Sequence, residues 1–80
     1  MKLYALTGCP YCEMVEERLE RYGVAYERIE VPRAHAERHE VIRVSGQPTV
    51  PVLVDGDVVL DDEEKILPYL DAKYGQVKNE

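Results

Sequence analysis

Both cysteines of this 80-residue chain lie in one tetrad, Cys9-Pro10-Tyr11-Cys12. A disulfide between them closes a tiny loop, which suits chemistry better than stapling a fold. A C-x-x-C at a strand-to-helix junction in a small α/β pattern reads as a dithiol redox site. The reacting species is the thiolate. A cysteine at a helix start faces unsatisfied backbone N–H groups and the positive end of the helix dipole, and both favour the anion. Cys9 holds that place. It is expected to be the attacking thiol and leaving group, with Cys12, inside the first turn and more buried, as the resolving thiol. Pro10 stiffens the turn. Tyr11 either flanks the sulfur or packs in the core.

The elements that must position the tetrad follow from pattern. Lys2 to Leu6 is a continuous apolar run and predicts a central strand. Thr7-Gly8 is a loop, with Gly8 allowing close backbone approach. Cys9 is the expected N-cap, Pro10 the first helical residue. Tyr11, Val15, Leu19 and Tyr22 recur at helical spacing as a buried stripe, and Glu17 pairs with Arg21 on the wet face. Gly23 ends the helix. Tyr26 to Glu30 predicts a second strand, closed by Pro32. Arg33 to Val44 predicts a second helix with a thin stripe of Ala34, Val41, Ile42 and Val44, stopped at Ser45-Gly46. Gln47 to Pro51 is an extended approach. Val52-Leu53-Val54 and Val58-Val59-Leu60 form a hairpin about Asp55-Gly56-Asp57. Asp61 to Glu64 opens the last helix with the acidic residues its dipole favours. Ile66, Leu67, Leu70 and Tyr74 line its inner face, Pro68 removes one bond to Glu64, and Gly75 stops it.

The order is β-α-β-α-β-β-α. A right-handed crossover makes the first two strands parallel, and the final hairpin is antiparallel. The expectation is an α/β domain over residues 1–75, a four-stranded mixed sheet with helices on both faces, and a frayed tail over 76–80.

Composition narrows the partners. The formal net charge of −6 argues against nucleic acid and anionic membrane. The N-terminus shows neither an apolar h-region nor a cleavage-site pattern, and no run is long enough to span a bilayer, so the cytoplasm is expected. The chain has no Phe and no Trp, and six tyrosines carry the aromatic volume. His35 and His39 sit four apart, the spacing of a metal pair, but lack a third ligand nearby. They read as a solvated helix face, and no metal is expected.

The chain resembles a glutaredoxin, the minimal form of the thioredoxin fold. Cys9-Pro10-Tyr11-Cys12 is identical to the dithiol motif of that family. Thr49-Val50-Pro51 matches its T-V-P, whose proline is cis and faces the active site. Asp55-Gly56 followed by acidic residues at a helix start matches a third landmark. The run Leu60-Asp61-Asp62-Glu63 is also similar to N-terminal domains of glutathione transferases.

The resemblance implies a redox-active centre that reduces protein disulfides or mixed disulfides of glutathione or a related thiol. Cys9 and Cys12 would carry electrons in cell redox homeostasis. It implies no tightly bound cofactor, a low-molecular-weight thiol as co-substrate, and a monomer acting on disulfide-containing proteins. Residues implied at the thiol-binding site are Gln47, Thr49, Val50, Pro51, Asp62 and Glu63. The backbone of Val50 would pair with an extended, peptide-like substrate. Asp62 and Glu63 would either receive a γ-glutamyl ammonium or serve as helix caps, with Asp61 taking part if the register slips. Gln47, Arg43 or Arg38 would reach a carboxylate. Leu6 stands where the family usually has a lysine. That departure admits weak glutathione affinity, use of γ-glutamylcysteine, or an electron carrier reduced by thioredoxin reductase. A module that binds an iron–sulfur cluster is the reading from a different class.

Overall fold

The computed structural model describes residues 1–75. The expected frayed tail over 76–80 lies outside the described residues. The elements run β1 (Lys2–Ala5), α1 (Pro10–Arg21), β2 (Glu27–Glu30), a short 3-10 turn (His35–Glu37), α2 (His39–Ser45), β3 (Val52–Asp55), β4 (Val58–Leu60) and α3 (Glu63–Tyr74). The strands form one mixed sheet in the order β2-β1-β3-β4. β1 is central, parallel to β2 and antiparallel to β3, which pairs antiparallel with β4. This is the four-stranded mixed α/β sheet that the order of elements predicts, in the thioredoxin-like architecture that the family resemblance implies.

Strand alternation divides the core into two. Leu3 and Ala5 of β1 and Leu53 of β3 point to one face, where they meet Cys12, Val15 and Leu19 of α1 and Ile66 and Leu70 of α3. Tyr4 and Val52 point to the other face and pack with Val31 and with Val41 of α2. Two helices therefore cover one face and a single short helix covers the other. Register keeps the sets apart: Leu3 stands opposite Leu53, and Tyr4 opposite Val52. Tyr4 is buried but keeps a partner, donating its hydroxyl to Glu40 Oε2 at 2.8 Å.

The first helix ends as its sequence dictates. Gly23 takes φ 69°, its N–H donates to Glu20 O, and the N–H of Val24 donates to Leu19 O. That pair of bonds satisfies carbonyls that the helix end would leave open. The buried stripe differs from the expected one at its first position. Tyr11 is 55% exposed, and Cys12 takes its place beside Val15 and Leu19. Residue 11 lies four positions before Val15, but at the first turn nothing packs above it.

The second helix is shorter than predicted. The span 33–44 resolves into a 3-10 turn and a helix that starts at His39, with Arg38 between them at φ −89° and ψ 59°. The cause is the Arg38 side chain, which turns inward and is 4% exposed. Its guanidinium donates to the carbonyls of Pro32 (2.6 Å), Pro48 (2.8 Å) and Arg33 (3.0 Å). Arg38 thereby ties the segment entering α2 to the segment leaving it. Helix composition alone favours a continuous helix; a buried cation that must satisfy its donors overrides it.

Candidate active site

The tetrad sits at the junction of β1 and α1, and a tight turn sets its geometry. Cys9 N–H donates to Leu6 O at 3.1 Å, closing a four-residue turn in which Gly8 adopts φ 90°. A side chain at position 8 would disfavour that conformation. Thr7, also in the turn, donates both its N–H and its hydroxyl to Glu30, each at 2.9 Å. Glu30 ends β2, the neighbouring parallel strand, and receives Arg28 Nη1 at 2.6 Å. The backbone N–H of Thr7 first, then Arg28 and the Thr7 hydroxyl, hold the Glu30 carboxyl down at about 2. A charged carboxylate thus anchors the turn that presents Cys9.

Cys9 is the N-cap of α1, with extended backbone at φ −91° and ψ 113°. Its Sγ accepts a hydrogen bond from the N–H of Cys12 at 3.3 Å. Pro10 follows as the first helical residue, where its missing N–H leaves no gap. Cys9 is half-buried and Cys12 fully buried, and both are free thiols. Burial, and after it the hydrogen bond with Cys9, push the Cys12 thiol up to about 12. The two sulfurs are therefore unequal. One is reachable and sits where a helix N-terminus points its donors; the other is shielded and holds its proton.

Two clefts adjoin the tetrad and share Thr49 and Val50. The smaller, about 210 Å³, is lined by Leu6, Cys9, His35, Arg38, Thr49 and Val50. The larger, about 430 Å³, runs from Tyr11 past Gln47, Thr49 and Val50 to Asp61, Asp62, Glu63 and Lys65. The Val50–Pro51 peptide is cis, as the T-V-P resemblance implies; Pro51, expected at the thiol-binding site, is buried and lines neither cleft. Tyr11, left open between a core and a groove role, stands on the groove. Gln47, Thr49, Val50, Asp62 and Glu63 all border the larger cleft, so chain segments far apart in sequence converge there.

Asp62 has two places at once. Its Oδ1 accepts the N–H of Glu64 at 3.1 Å as the N-cap of α3, and its side chain lines the cleft. That N–H, and then the Glu63 side chain, lower the Asp62 carboxyl below its ordinary range. Burial, together with the adjacent Asp62, raises that of Glu63. Both oxygens of Asp61 are engaged, Oδ2 by Gln47 Nε2 at 3.1 Å and Oδ1 by Lys65 Nζ at 2.8 Å.

Four residues near the site were not legible as such. His35 reads from sequence as a solvated residue, and it is exposed, but it also lines the cleft beside Cys9. Arg38, expected to reach a substrate carboxylate, has its donors committed to three carbonyls. Lys65 enters the larger cleft through its i,i+4 pair with Asp61, a spacing visible in the sequence. Glu30 acquires its place only from strand pairing, which sets it opposite Ala5 next to the turn. Among the described residues, no group of three or more His, Cys, Asp or Glu side chains is placed to hold a metal ion. Also among them, no helix is long and apolar enough to cross a membrane.

Comparison with known proteins agrees with this fold. Residues 1–60 match the family model described as glutaredoxin. The chain is 30% identical over 76 residues to glutaredoxin 3 of Escherichia coli, a match covering 94% of this chain and 89% of that one. A solved glutaredoxin of Archaeoglobus fulgidus superposes with a TM-score of 0.69 at 34% identity, covering 86% of this chain and 82% of the other. A glutathione transferase homologue from Drosophila mojavensis, solved with bound glutathione, superposes with a TM-score of 0.84 at 32% identity. That match covers 94% of this chain and 35% of the homologue. The chain spans about a third of the length of the glutathione transferases it matches.

Proposed function

The chain belongs to the glutaredoxin family, and from that premise we propose that it is a thiol-disulfide oxidoreductase working through Cys9 and Cys12 on mixed disulfides of glutathione or a related thiol. The observation that carries this reading is the inequality of the two thiols: Cys9 accessible at the helix N-cap, Cys12 fully buried behind it.

The steps follow from that inequality. The Cys9 thiolate attacks the glutathione sulfur of a mixed disulfide. The old S–S bond breaks, its electron pair leaves with the target thiolate, and water supplies that thiolate's proton. Cys9 now carries the small thiol in a new disulfide. Two exits are open. A second thiolate from solution attacks the small-thiol sulfur, releasing its symmetrical disulfide and regenerating the Cys9 thiolate. Otherwise Cys12 loses its proton and attacks Cys9 Sγ, expelling the small thiolate and leaving a Cys9–Cys12 disulfide. The burial of Cys12, which disfavours its thiolate, slows the second exit and favours the first. The N–H of Cys12 stabilises negative charge on Cys9 whenever that sulfur attacks or departs.

The clefts supply a peptide-like seat for the small thiol. Val50 offers main-chain groups for strand-like pairing, Tyr11 shields the reacting sulfurs, and Asp62 and Glu63 face the far end, where an ammonium is accommodated. Glutathione bound to a homologue of similar fold supports the ligand class. One observation favours a second reading, an electron carrier reduced by thioredoxin reductase: the cleft beside Cys9 presents apolar Leu6, with no lysine there to hold a carboxylate. Offering the oxidised protein glutathione, γ-glutamylcysteine and NADPH with thioredoxin reductase in turn distinguishes the two. Recovery of two free thiols with a low-molecular-weight thiol sustains the proposal. Recovery with the reductase alone replaces it by the second reading.

A further inference from the structure

The geometry points to Asp61 as a specificity residue that competes with a substrate carboxylate for Gln47 and Lys65, and so biases the larger cleft toward thiols that carry an ammonium without a carboxylate. This rests on reading that cleft as the seat of the small thiol.

Gln47 and Lys65 are the cleft-lining side chains best suited to bind a carboxylate, one by an amide N–H₂ and the other by an ammonium. Asp61 already engages both. Its Oδ2 receives Gln47 Nε2 at 3.1 Å and its Oδ1 receives Lys65 Nζ at 2.8 Å. The Asp61 side chain is 21% exposed and sits between them. An incoming carboxylate must displace this internal one or crowd beside it, and two neighbouring anions repel. The rest of the lining strengthens the bias. Asp62 and Glu63 add two carboxyl groups, so Lys65 faces three of them across one cleft. On the Cys9 side Leu6 adds no cation, and the Arg38 guanidinium there is committed to three carbonyls. An ammonium meets the opposite situation: several acceptors and a single competing cation.

The test compares one peptide disulfide-linked either to glutathione, which carries two carboxylates, or to cysteamine, which carries an ammonium and none. Dithiothreitol serves as the common reductant. Asp61→Ala is expected to lower KM for the glutathionyl peptide about fivefold, as for one exposed charge-assisted hydrogen bond. KM for the cysteaminyl peptide should not fall, because its ammonium gains nothing from a freed Gln47 or Lys65. In Asp61→Ala/Gln47→Ala/Lys65→Ala that gain is expected to disappear. Asp61→Asn, which keeps an acceptor for Gln47 without the charge, should fall between wild type and Asp61→Ala. An unchanged KM in Asp61→Ala, an equal change for both peptides, or a gain that survives in the triple variant overturns the inference. Titration with S-methylglutathione, read by amide chemical shifts, needs no turnover. Tighter binding by Asp61→Ala without activity on either peptide would sustain the role of Asp61 and reject the proposed reaction. Activity with unaltered binding would do the reverse.

Discussion

The N–H of Cys12 donates to the sulfur of Cys9 over 3.3 Å, so the two cysteines are joined through the helix backbone before any bond forms between their sulfurs. The contact places a partial positive charge against the outer thiol while the inner one sits at zero exposure in the core. The proposed division of labour between the two thiols rests on this contact and on that burial.

Turnover of a glutathione mixed disulfide is expected to vanish in Cys9→Ser and to persist in part in Cys12→Ser. Serine keeps the N-cap hydrogen bond but supplies no sulfur nucleophile, whereas loss of Cys12 removes only the internal exit. A coupled assay with glutathione as reductant reads both variants. Equal loss in the two would reject the route in which a second small thiol resolves Cys9.

The pH dependence of alkylation separates the thiols further. With the Cys12 thiol raised from 9.0 to about 12, roughly one molecule in 10⁵ carries a Cys12 thiolate at neutral pH. Iodoacetamide at pH 7–9 is expected to label Cys9 alone in the folded, reduced protein, and both cysteines in denaturant, as read by peptide mass mapping. The same shift bears on stability. Above the unfolded value the unfolded chain has released a proton that the folded chain keeps, so folding stability falls as pH rises from about 9 toward 12.

Glu30 gives the opposite sign at the other end of the scale. Its carboxyl, held at about 2 by Thr7 and Arg28, stays charged in the fold when it would already be protonated in the unfolded chain. Its contribution is therefore present above about 4.5 and lost as pH falls toward 2. Glu30→Ala is expected to lower the urea midpoint at pH 7 and to match wild type near pH 2. A constant difference across that range would show that the carboxylate does not anchor the Thr7 turn through its charge.

Arg38 is the most consequential polar side chain for the shape of the smaller cleft. Its three carbonyl bonds hold Pro32, Arg33 and Pro48 together, and its removal takes the donor from all three carbonyls. Arg38→Ala is expected to cost roughly 2–4 kcal/mol by urea unfolding. Arg38→Lys should recover only part of this, because a single ammonium cannot reproduce the spread of the guanidinium fork. A loss below about 0.5 kcal/mol in Arg38→Ala would contradict this role.

The sequence by itself determined the tetrad and the local devices around it. Cys9 at the cap, Pro10 at the first helical position, Gly8 and Gly23 at positive φ and Asp62 at the start of α3 are set by neighbours within four residues, so residue type and spacing suffice to read them. Strand and helix order was legible for the same reason, since alternation and helical periodicity are local signals. Tertiary structure alone decided what depends on meetings between distant segments. Ala5 pairs with Glu30, which carries a carboxylate to the Thr7 turn; Arg38 finds its carbonyls and breaks the predicted second helix; Tyr11 meets no covering element and turns from core to groove. The engagement of Gln47 by Asp61 belongs with these, because it needs the loop before β3 and the start of α3 side by side. A buried donor takes whichever acceptor the packed chain brings near, and no spacing along the sequence records which one that will be.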